Sequence, residues 1–153
     1  MRLAEFILAN VEPILTEWDA FARSTWPVEA SGAAIDPSKL RDHAEEILRA
    51  AAQDMISDQT EAQQSAKSKG NSPAGKTSVA LDRASVSHGS GRVGEGFDLE
   101  AVVAEYRALR ASVLRLWRES DPTPDLRDLA DVTRFNETID QSLAWRFCST
   151  CSA

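Results

Sequence analysis

The chain has 153 residues, a formal net charge of −7 and an apolar fraction of 42% with four tryptophans, enough to build the core of one domain. Its acidic balance repels phosphate backbones, and no basic patch with interleaved aromatics appears, so no nucleic-acid partner is expected. No apolar run approaches the roughly 18 residues of a membrane span, and MRLAEFILANVEPIL lacks a signal-peptide cleavage site, which together predict a cytoplasmic location.

The first predicted helix covers about residues 3–23, with Ile7, Val11, Ile14, Trp18 and Phe21 as its apolar stripe. Pro13 falls inside it and predicts a kink or break there. STWPVEASGAAIDP reads as a loop, and Asp36 followed by Pro37 as a helix start. The second helix covers about 37–58, with Leu40, Ala44, Ile47, Leu48, Ala51 and Met55 inward. Residues 60–77 lack apolar period and are expected to form a mobile polar excursion. A short helix over 78–88, carrying Val79 and Val86, then leads into GSGRVGEG, whose four glycines predict a turn.

Residues 96–119, GFDLEAVVAEYRALRASVLRLWRE, hold the strongest periodic signal. Leu99, Val102, Val103, Tyr106, Leu109, Val113, Leu116 and Trp117 recur at spacings of three and four, with Asp98 as N-cap. A helix of this length, roughly 30 Å, spans a small domain. DPTPD closes it, and a last helix over about 124–147 carries Leu129, Val132, Phe135, Ile139 and Leu143. No alternating strand and no internal repeat is visible. The elements predict an all-α fold, a compact antiparallel bundle of four to five helices with a globin-like arrangement as one version of it.

The periodic stretch also resembles a known family. GF-x-L-x-x-V-V-x-EYRALRASVLRLW is similar to the helical N-terminal domain of certain bacterial sensor histidine kinases, also known as the RsbT co-antagonist (RsbRD-type) N-terminal domain. Residues 59–70 (QTEAQQSAKSKG) and the stretch from His88 through Gly96, with Arg92 and Phe97 in place, fit as well. So does FNETIDQSL at 135–143, and the likeness covers most of residues 1–147. It implies a signal-input domain of a two-component histidine kinase or stress-signalling protein, which acts by protein contact and helix movement. Its implied partners are a second copy of the chain and a downstream output or kinase module. The ending WRFCSTCSA departs from the family pattern.

Several motifs match patterns that carry chemistry of their own. GNSPAGKT (70–77) matches a P-loop letter for letter, but no hydrophobic strand precedes it. Gly89, Gly91 and Gly94 form G-x-G-x-x-G without a βαβ unit, which reads as a flexible turn. Cys148 and Cys151 form a C-x-x-C pair near the end, and only His43 and His88 are available to complete a metal site. His43 lies at the edge of an apolar face, and His88 is the candidate for an alternative haem- or small-molecule-binding reading. No histidine-kinase phospho-acceptor segment or ATP-binding box is present, and no acid, base and nucleophile set assembles. The expectation is a non-enzyme with no cofactor and no metal.

A polar cluster is expected between the last two long helices. Asn136 and Asp140 share a face, and Tyr106, Arg107 and Arg110 are the groups expected to satisfy the carboxylate. Phe6, Trp18, Trp145 and Phe147 exceed what one inner stripe needs, which predicts an exposed apolar patch and a homodimer.

Overall fold

The computed structural model describes residues 1–25, 37–57, 60–69, 99–120, 123 and 125–150. They form six helices and no strand. These are α1 (Leu3–Ala9), α2 (Val11–Thr25), α3 (Pro37–Ile56), α4 (Glu61–Ser68), α5 (Leu99–Ser120) and α6 (Leu126–Thr150). The short helix expected over 78–88, the glycine turn, the P-loop match and His88 lie outside the described residues.

The first predicted helix is two. The break falls at Asn10 rather than at Pro13. Asn10 donates its backbone N–H to Ile7 O (3.2 Å) and its side-chain amide to Phe6 O (2.9 Å), while its own carbonyl accepts from Ile14 N–H (3.1 Å). One residue thus closes α1 and opens α2. Pro13 then falls in the first turn of α2, where a missing N–H breaks no helical bond.

The second correction is α4, which occupies residues expected to form a loop. Thr60 Oγ1 accepts from Gln63 N–H (3.2 Å) and Gln63 Oε1 accepts from Thr60 N–H (2.8 Å). This reciprocal cap starts a helix that packs on α6. Local capping and a tertiary neighbour outweigh the weak apolar period.

α1 packs on α3, and α2 packs on α5 and α3. α6 lies against both α3 and α5. Trp117 near the end of α5 reaches Met1, whereas Glu105 near its start meets Trp18, so α5 runs opposite to the α1–α2 pair. The core joins Leu3, Ile7, Ile14, Leu15 and Trp18 to Ile47, Leu48, Phe135 and Ile139, all fully buried. Burying each such side chain contributes about 1.5–3 kcal/mol before entropy is counted.

Most of the expected stripes face this core: Ala44, Ala51 and Met55 on α3, and Val102, Tyr106, Leu109, Val113 and Trp117 on α5. Phe21 and Leu129 do not. Phe21 is exposed on α2, and Leu129 is 63% exposed in the first turn of α6, where a groove separates it from α5. Phe6 and Trp18 are buried, so neither supplies the predicted exposed patch. Among the described residues the large exposed apolar side chains are Met1, Phe21, Ile56, Leu126 and Leu129. The side chains of Leu40, Leu99, Trp145 and Phe147 lie outside the described set.

Candidate functional site

α6 is the element that touches most of the others, and polar side chains make the joints. Asp125 starts it. Its Oδ1 accepts from the N–H groups of Arg127 (2.6 Å) and Asp128 (3.0 Å), and Asp128 Oδ2 accepts from Asp125 N–H (2.7 Å). The Asp128 and then the Arg127 backbone donors hold the Asp125 carboxyl below its ordinary value.

Six residues on, Asp131 is 7% exposed and turned toward α1. Its Oδ2 accepts from Leu3 N–H at 3.0 Å and its Oδ1 from the Arg2 guanidinium at 2.5 Å. A carboxylate from α6 thereby caps the start of α1, where amide donors have no helical acceptor. Arg134 does the converse at the end of α3. Its Nη2 donates to Asp54 O (3.0 Å) and to Ser57 O. Thr138 Oγ1 lies 2.9 Å from Asp54 Oδ2, and Asp54 is 1% exposed. Residues 131, 134 and 138 follow helical spacing, so one face of α6 holds the ends of two other helices.

On the other side of α6, Arg110 Nη2 on α5 donates to Asp140 Oδ1. Of the five expected cluster residues, these two meet. Asp140 is 64% exposed, so the pair lies at the surface rather than at a costly buried margin. Arg107 is directed elsewhere, to a second groove of about 450 Å³ between α2 and α5 with Glu17 and Phe21. Tyr106 is buried near Trp18, Ile47 and Leu109. Asn136 is half-buried. The structurally weightier groups are Asp54, Asp131, Arg134 and Thr138, none of which belongs to the cluster expected from the sequence. The signal for the three on α6 is a polar residue directly before Val132, Phe135 and Ile139 in its apolar stripe, and Asp54 likewise directly precedes Met55 on α3.

A groove of about 590 Å³ separates the end of α5 from the start of α6. Leu114, Trp117, Leu129 and Val132 give it apolar walls. Arg115 and Arg118 form one rim, and Asp125 and Asp128 the other. Trp117 is held in place by donating its indole N–H to Met1 O at 3.1 Å. No serine, cysteine, histidine or lysine lines this groove among the described residues.

Among the described residues no three metal-ligating side chains converge. His43 is half-buried on α3, with Nδ1 3.7 Å from Glu46 Oε2. The side chain of Cys148, and all of Cys151, lie outside the described set. No helix among the described residues is long and apolar enough to cross a membrane.

Residues 12–147 match the family model described as the RsbT co-antagonist protein rsbRD N-terminal domain, a match over well more than half of the chain. No curated protein and no solved structure matches the chain.

Proposed function

The chain belongs to the family of RsbT co-antagonist protein rsbRD N-terminal domains, and on that premise we propose that it is a signal-input domain whose output is a displacement of α6. The family is one of stress-signalling regulatory domains. The finer reading is ours. The domain works as a cytoplasmic homodimer without catalysis of its own, and passes its signal to an output or kinase module of the two-component type.

One observation carries this reading. α6 is tied to the start of α1 through Asp131 and to the end of α3 through Arg134 and Thr138. Buried polar joints have discrete solutions: a small slide of α6 does not weaken them gradually but breaks several together. Such an element has two arrangements, and a signal that favours one of them moves the helix as a body.

The test is a chimera in which residues 1–150 replace the input domain of a histidine kinase, joined in helical register. Arg134→Ala and Asp131→Asn should change autophosphorylation severalfold, and an exposed control such as Arg49→Ala should not. Equal rates in all four proteins would overturn the α6 reading. Sedimentation of the isolated chain at micromolar concentration tests the dimer, and a strict monomer would remove it.

A further inference from the structure

We propose that the groove between α5 and α6 binds a free amphiphile with an anionic headgroup, a long-chain carboxylate, with its chain against Trp117 and its head at Arg118. The inference deepens the signal-input reading by naming the ligand class that a signal would take.

Size speaks for a small molecule. A volume of about 590 Å³ lies inside the range of roughly 300–1,000 Å³ usual for ligand sites. The groove is lined by nine residues, whereas a stable protein interface recruits about 20–30 on each side. Its walls are aliphatic and aromatic, and Leu129 is left largely in water along one of them, so a hydrocarbon chain laid there removes apolar surface from solvent.

The rim selects the headgroup. Arg115 is already committed, with Nε 2.8 Å from Glu17 Oε1 and Nη1 2.7 Å from Glu119 Oε1. Asp125 and Asp128 are committed as well, because both accept backbone N–H groups at the start of α6. The positive end of that helix offsets their charge. Arg118 has no carboxylate partner among the described residues and is the uncommitted charge on the rim. A carboxylate head satisfies it, and a cationic or neutral head does not. The net charge of −7 argues against an anionic membrane surface as the source of such a ligand.

The location gives binding a consequence. A chain in the groove touches α5 through Leu114 and Trp117, and α6 through Leu129 and Val132. It therefore sets the separation of α6 from α5 at the end where α6 also caps α1.

The test is a titration of the full chain with sodium dodecanoate below its micellar concentration, read by calorimetry and by tryptophan fluorescence. Dodecan-1-ol and dodecyltrimethylammonium serve as neutral and cationic probes. Saturable one-to-one binding is expected, with dodecanoate about two- to fivefold tighter than the alcohol, the effect of one exposed charge. Arg118→Gln should reduce dodecanoate to the affinity of dodecanol, and Leu129→Gln should weaken both. Both side chains are exposed, and unchanged melting curves will establish that the variants fold. Unsaturable binding, equal affinity for the three probes, preference for the ammonium, or indifference to Arg118→Gln would overturn the proposal. So would binding only to phosphatidylglycerol vesicles, or conversion of a dimer to monomers by Leu129→Gln, which would assign the groove to a second copy. Any of these results leaves the signal-input reading standing, because the chimera tests that separately.

Discussion

Asp131 on α6 and Leu3 on α1 are 128 positions apart in sequence, and a single hydrogen bond of 3.0 Å joins the carboxylate of one to the backbone N–H of the other. With the Arg2 guanidinium on its second oxygen, Asp131 closes the fold by capping its first helix from its last.

Asp131→Ala should therefore destabilise the domain by about 1–3 kcal/mol, since it leaves a buried N–H without its acceptor and Arg2 without its counter-ion. Urea denaturation at neutral pH measures this. A loss below about 0.5 kcal/mol, the size of an ordinary surface change, would show that the cap contributes little.

The joint between α6 and α3 should behave as a coupled unit. Thr138→Val and Asp54→Asn each disturb the same 2.9 Å contact. A double-mutant cycle is expected to show coupling above about 0.5 kcal/mol, because the groups touch in a buried setting. By the same method Arg110 and Asp140, which meet at the surface, should couple by no more than about 1 kcal/mol and by less in high salt. A larger value for the surface pair than for the buried one would reverse this order.

Two tryptophans should differ. Trp18 is enclosed on all sides and donates to Glu105 O at 3.3 Å, whereas Trp117 forms a wall of the groove. Trp18→Ala should cost about 3–5 kcal/mol, with Trp117→Ala toward the lower end of that range, because Trp117 is buried at the margin of the core and Trp18 at its centre. Chemical denaturation of both variants decides it; an equal or larger cost at Trp117 would mean that the groove is filled in solution.

Asp125 gives the stability an acid-sensitive component. Backbone donors lower its pKa on folding, so the folded state binds this proton less readily than the unfolded chain does. Its contribution is then complete above the ordinary carboxylate range and is lost as pH falls through the lowered folded value, from about pH 4 downward. Asparagine also caps helices but does not titrate. Melting temperatures of wild type and Asp125→Asn should therefore run parallel from pH 8 to 5 and converge in more acidic solution. Parallel curves down to pH 2 would exclude the carboxylate as the titrating group.

The amino-acid sequence by itself determined the helical class, the span of α5, the buried stripes at Ile7–Trp18, Ala44–Met55, Val102–Trp117 and Phe135–Ile139, and the family resemblance. Helical period and the preference for burial are local properties of one face, and a strong stripe carries them without reference to its neighbours. Tertiary structure alone decided the rest. It placed the break at Asn10, because the amide there satisfies backbone groups on both sides of the bend. It ordered α4 on α6, although the Thr60–Gln63 cap was present in the letters. It left Leu129 beside an open groove, since a stripe says which residues prefer burial and not whether a second helix arrives to cover them. It also gave Asp131, Arg134 and Thr138 their partners. Each of those partners is a helix end or a buried carboxylate distant in the chain, and no spacing within α6 could specify which end would come within hydrogen-bonding reach.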